Sequence, residues 1–451
     1  MSVIARRAGP AVKPPRAGRR FDPLLALIIA AAAWAVVPGY LQLQFGIRPG
    51  AGLGNVEVTT PSATLAKGAL LYLVYALSAA AVLGSIVRRV RSQAWLLIYL
   101  APWLALTISS FAATRSFTVT SLIYLAIGTA VLDHPDKMRL LKAVGVLTAW
   151  VAAISILMTF TTSNAVFSQA QVPDAKAIIG STLLNGPFYH PNTLGLVLAL
   201  GFPWAFLIQR RAWRRFSLVL ILFALVWSAS RTSLLAVMVG LVVAGLWLLF
   251  RRVSRQTGLL VGLPLIALYV AVIPIGAILV ATARPDSFSA RGVIWDASLA
   301  LFREKPVLGW GSDIYVSIEQ TRSAIGSLAF HGHNMFVNTL TVAGIVGVVA
   351  LVLLYFKILA KSWRFGNSGA DITLAMWPVV FICLGWLEVP TTFYTFGYTS
   401  WVVWVPLAVI LSLPAREQPN PAHTDASLGA GHVRERNGGT AVLPGLVSRG
   451  G

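Results

Sequence analysis

The chain is 451 residues long, 57% hydrophobic and only 11% charged, with a mean hydropathy of +0.75. Those values exclude an ordinary soluble domain and define an all-α, polytopic membrane protein. The net charge of +21 would point to nucleic acid in a soluble chain, but Lys and Arg cluster here between apolar runs, where topology signals lie, so no nucleic-acid partner is expected.

Residues 1–22 carry Arg6, Arg7, Lys13, Arg16, Arg19 and Arg20 and show no small-residue cleavage site; they read as a basic cytoplasmic tail. The first apolar run spans Pro23 to Pro38, and the nearly uncharged Tyr40 to Thr64 stretch reads as an external loop. Leu70 to Val87 and Ala94 to Phe111 flank a basic knot, Arg88 to Arg91. The fourth and fifth runs, Phe117 to Leu132 and Val144 to Thr161, flank Asp133, His134 and Asp136. These could hint at a metal, but with Lys137, Arg139 and Lys142 nearby they read better as a solvated loop.

A polar segment, Thr162 to Asn192, precedes the sixth run, Thr193 to Ile208. Phe216 to Trp227, Leu234 to Phe250 and Leu259 to Ala281 follow. The longest polar interruption, 282–332, shows helical character from Ser289 to Phe302 and turn residues from Glu304 to Gly311; we read it as an external loop carrying two short amphipathic helices. The tenth run, Met335 to Phe356, is long enough to cross a bilayer, and Gly344 and Gly347 on one face should let a neighbouring helix approach closely. The eleventh reaches Leu387, with Cys383 as a small buried hydrophobe that excludes an intrachain disulfide. The twelfth covers Trp401 to Leu413, ahead of a tail, 414–451, with the composition of a disordered segment.

Twelve spans with both termini cytoplasmic place about 26 of the 36 Lys and Arg residues inside, as the positive-inside rule requires. On that layout His190, Arg231, Arg291, His331 and His333 converge on the external face. An Arg between two apolar runs costs about 2.5 to 3.5 kcal/mol at a helix centre, so Arg231 is expected to have a partner or a ligand unless it snorkels from a helix end. Arg291 opens the loop helix with Trp295 one turn on. Its planar fork suits phosphate oxygens, the alternative being a salt bridge with Asp286 or Asp296. His333, at the head of an apolar helix, could handle a proton or simply end the helix. Asn192 is expected to cap the sixth helix after His190. External carboxylates, Glu388 among them, form no close acidic pair of the kind that holds divalent ions, so no metal or cofactor is expected.

Together these residues resemble the O-antigen ligase and polymerase superfamily, bacterial membrane enzymes acting on glycans carried by undecaprenyl diphosphate. His333-Asn334, nine residues, then Gly344-Ile-Val-Gly347 is similar to that family's His-[Asn/Ser/Gln]-x9-Gly-x-x-Gly signature. Supporting pieces are Gly186 to Asn192, Ser230 to Ser233, Arg291 to Trp295 and Pro306 to Gly309. The resemblance implies a metal-independent, inverting glycosyltransferase of the bacterial inner membrane with its site on the periplasmic face. Arg231 and Arg291 would hold the donor diphosphate, His333 would be general base on an acceptor hydroxyl, and His190, Asn334 and Trp295 would line the substrate site. Ligase and polymerase remain open within the family. A lipid-linked glycan transporter is the rival of another class, and it should carry ionisable groups near the membrane midplane rather than at helix ends.

Overall fold

A computed structural model describes residues 21–46, 52–53, 56–57, 59–87, 94–132, 134–168, 177–257, 262–285, 287–315, 331–367 and 372–413. The expectations for the N-terminal tail before residue 21, the Arg88 to Arg91 knot, Asp286, a second loop helix beyond residue 315 and the tail from residue 414 lie outside them. Each of the twelve apolar runs is a helix: α1 (Pro23–Gln44), α2 (Pro61–Val87), α3 (Ala94–Thr114), α4 (Leu122–Leu132), α5 (Lys137–Met158), α6 (Pro191–Ala205), α7 (Arg211–Ser228), α8 (Arg231–Thr257), α9 (Gly262–Thr282), α11 (Met335–Asn367), α12 (Thr373–Leu384) and α13 (Ser400–Ser412). The loop helix is α10 (Ser287–Glu304). Two short antiparallel ladders occur where irregular loop was expected, β1 (Gly52–Leu53) with β2 (Val56–Glu57) and β3 (Val166–Ser168) with β4 (Thr182–Leu184).

Hydropathy locates the helices, and capping moves their ends. Thr60 Oγ1 accepts from the Ala63 N–H at 3.2 Å, starting α2 nine residues ahead of its apolar run. Asp136 accepts from the Arg139 N–H at 2.9 Å and starts α5 on basic residues. His134 settles against Asp22, the cap of α1, at 3.1 Å.

Among the described residues, α1, α2, α3, α5, α8 and α11 contain stretches long and apolar enough to cross a membrane. At twelve and thirteen residues, α12 and α13 are about 18 to 20 Å long, short of a hydrocarbon core of about 30 Å. They are apolar all round and buried throughout, as is nearly all of α6; these three helices are the most completely buried part of a core to which the other helices contribute. The chain between α12 and α13, residues 385–399, is non-helical and largely buried.

The two signature glycines act differently from the expectation of a close helix pair. α11 breaks at Gly344, whose φ of 61° and ψ of −157° are costly for any residue with a Cβ. A loop, not a helix, docks on the break: Ile345 N–H donates to Pro306 O at 2.9 Å, and Trp310 and Gly311 N–H donate to Thr341 and Val342 O, each at 2.9 Å. A Cβ on Gly344 would fall 2.3 Å from Val307 O. The atoms nearest Gly347 belong to Ala343 and Thr339 of the same helix. The Pro306-Val-Leu-Gly309 motif and the first signature glycine are thus two halves of one joint.

Candidate functional site

Three segments far apart in sequence deliver the ionisable groups to one point. The first is the approach to α11. His333 adopts a left-handed backbone, φ 45°, and its N–H donates to His331 Nδ1 at 3.1 Å, leaving the two imidazoles 4.2 Å apart. Asn334 fixes this turn. Its Oδ1 accepts from the Phe336 and Val337 N–H groups at 2.8 and 3.1 Å, and its amide donates to Trp386 O at 2.7 Å and Gly276 O at 3.1 Å. The Asn334 side chain, expected to meet substrate, is therefore fully engaged with protein and ties α11 to α9 and to the 385–399 segment.

The second segment is 385–399 itself, pinned by the Trp386 indole N–H to Val272 O at 2.9 Å. Here stands Glu388, 4% exposed. Its Oε1 accepts from Arg291 Nη2 at 2.5 Å and from Asn192 Nδ2 at 3.3 Å, and its Oε2 lies 3.5 Å from His333 Nδ1. Arg291 Nη1 donates to Leu387 O at 2.5 Å. Arg291 thus pairs with Glu388, where sequence reasoning weighed only the neighbouring Asp286 and Asp296 as carboxylate partners. Burial alone would raise the Glu388 carboxyl, but the His333 ring, the Arg291 guanidinium and His331 outweigh it and hold the group at about 2. One turn beyond Arg291, Trp295 is 1% exposed against Phe288, and its indole N–H makes no hydrogen bond among the described residues.

The third segment is the start of α6. His190, not Asn192, caps this helix, its Nδ1 accepting from the Asn192 N–H at 3.1 Å. The Asn192 side chain is thereby freed to reach Glu388. Burial lowers the His190 pKa; Glu388 opposes this while His333 and Arg291 add to it. Burial, with the His333 charge, also takes His331 down to about 3 against the pull of Glu388. Arg231 opens α8 at the same end of the bundle. Ser230 and Ser233 pack on Gly195, where any Cβ would lie 2.4 Å from the Ser230 Cβ, and the Arg231 side chain itself is exposed.

His331, His333 and Glu388 offer ligand atoms that all lie within 4.8 Å of one another, the one such cluster of possible metal ligands among the described residues. The Arg291 guanidinium on Glu388 sets a fixed positive charge beside any cation placed there. This donor set is better matched to moving a proton than to holding a metal. His333 Nδ1 is buried, makes no hydrogen bond among the described residues and faces a carboxylate held ionised, which leaves Nε2 as the nitrogen for another molecule. At 3.5 Å the contact is longer than a formed hydrogen bond, and such contacts commonly tighten in the substrate complex.

Sequence reasoning counted Glu388 only among scattered external carboxylates. A stronger signal was available: it is one of 15 acidic residues in the chain and directly follows an apolar run.

The fold and this site define an integral membrane protein with an imidazole, carboxylate and guanidinium cluster buried at one end of its helical bundle. Residues 216–352 match the family model described as O-antigen ligase, a span that holds Arg231, Arg291 and His333 but neither His190 nor Glu388. A protein of Pseudomonas aeruginosa described as an O-antigen ligase is 29% identical over 203 residues, 44% of this chain. That match takes in 46% of the relative, under half of its length. Both findings make this part of the chain similar to the O-antigen ligase and polymerase superfamily.

Proposed function

We propose that the protein is a membrane glycosyltransferase that moves a glycan from a lipid diphosphate carrier, of the undecaprenyl type, to an acceptor hydroxyl at the external face of the bacterial inner membrane, with both termini cytoplasmic. The observation that carries this reading is the alignment of His333 Nδ1 on ionised Glu388, within a family that transfers such glycans. In the reaction, His333 Nε2 takes the proton of the acceptor hydroxyl as its oxygen bonds to the anomeric carbon. The bond from that carbon to the diphosphate oxygen breaks, and the lipid diphosphate leaves with the electron pair. In-line attack inverts the anomeric configuration. Glu388 orients the imidazole and stabilises its protonated form, the role a carboxylate plays behind a catalytic histidine in hydrolases.

Arg231, exposed at the start of α8, supplies the phosphate fork, and Arg291 contributes its charge while bound to Glu388. Asn334 and His190 position the site rather than touch the reacting atoms, and Trp295 supports the α10 wall. Ligase and polymerase part on the acceptor. Deleting the gene and analysing lipid-linked glycans separates them: accumulated polymer on the carrier marks a ligase and accumulated single repeats a polymerase. An unchanged glycan profile overturns both.

A further inference from the structure

A second site lies at the opposite end of α6. That helix starts at the His190 cap and runs 15 residues, about 22 Å, to a groove between α5 and α7 with a volume of about 460 Å³. Its walls are apolar, with Trp150, Trp213 and Phe216 more than half exposed; its mouth carries Lys142 and Arg210. Among the described residues no carboxylate forms an ion pair with either cation, and Arg211, Arg214 and Arg215 add charge just beyond. α7 also starts without a side-chain cap, leaving first-turn amides available to an anion.

We propose that this groove binds an anionic phospholipid, its acyl chains along Trp150 and Phe216 and its phosphate between Lys142, Arg210 and the start of α7. The chemistry decides the occupant. An apolar groove alone accepts any lipid tail, whereas unpaired cations beside tryptophans at one end select a tail that bears a negative head in the leaflet where basic residues gather. The site is separate from the His333 cluster and stands independently of the transfer reaction.

The test is native mass spectrometry of the full chain in detergent with added dioleoyl phosphatidylglycerol or phosphatidylcholine. The wild type should retain phosphatidylglycerol roughly tenfold better. The double variant Lys142→Gln/Arg210→Gln should lose that preference with its thermal unfolding unchanged. Ala153→Trp, which fills the groove and keeps both cations, should lose lipid retention. Equal retention of the two lipids by the wild type, undiminished preference in the double variant, or displacement by an equal concentration of glycerol phosphate would each overturn the proposal.

Discussion

Replacing Glu388 by Gln removes the charge that faces His333 and Arg291 while keeping an amide oxygen that can accept from Arg291 and Asn192 in place of Oε1. An imidazolium and a carboxylate at the 3.5 Å separation of His333 Nδ1 and Glu388 Oε2 attract by about 5 kcal/mol at an effective dielectric constant of about 20. With the proton roughly half transferred in the transition state, about 2.5 kcal/mol is at stake, equivalent to a roughly 50- to 100-fold lower kcat. Steady-state transfer by the purified chain, from a fluorescent glycan on undecaprenyl diphosphate, should show that fall with the donor KM within about threefold of wild type. Since Glu388 acts through His333, the double variant Glu388→Gln/His333→Ala should be no slower than His333→Ala alone. A Glu388→Gln enzyme within threefold of wild-type kcat, or losses that multiply in the double variant, would refute the orienting role.

Three further outcomes follow from the same geometry. Arg231→Ala should raise the donor KM roughly tenfold or more, with Arg231→Lys restoring little because an ammonium cannot reproduce the fork; unchanged donor use in both removes Arg231 from the clamp. Gly344→Ala forces a Cβ into a left-handed backbone and against Val307 O, so thermal unfolding should show a loss of roughly 1 to 3 kcal/mol or more, and wild-type stability would contradict the joint. Acid should destabilise the protein in a defined window. The His331 pKa is depressed to about 3, so the unfolded chain takes its proton first, and the stability present above about 6.5 falls away between there and about 3. Glu388, held at about 2, adds stability present above about 4.5 that is lost as pH falls through 2. His331→Gln should flatten the upper part of this pH dependence, and an identical curve would contradict it.

The helices were legible because hydropathy is a local property: each of the twelve apolar runs is a helix, while the ends shift, as where Thr60 and Asp136 cap polar first turns and where α8 and α11 run on past their apolar stretches. Convergence of His190, Arg291, His331 and His333 on one end was legible because sidedness follows from counting alternate loops. What joins them was not. Glu388 lies 97 residues from Arg291 and 196 from Asn192, and neither periodicity nor spacing carries that information. The motif glycines show the same limit. Spacing of three suggested a helix pair, while Gly344 owes its presence to a left-handed break that receives the Pro306 loop. Asn334 likewise read as a substrate contact, yet its hydrogen bonds go to Trp386 and Gly276, residues that only the folded chain brings near.

The most direct test of the account is transfer by purified His333→Ala protein, inserted and folded as the wild type, from a lipid-diphosphate-linked glycan to an acceptor hydroxyl. The account predicts product from the wild type and at least a 100-fold slower reaction from the variant. Near-normal transfer by the variant would contradict the assignment of His333 as the base.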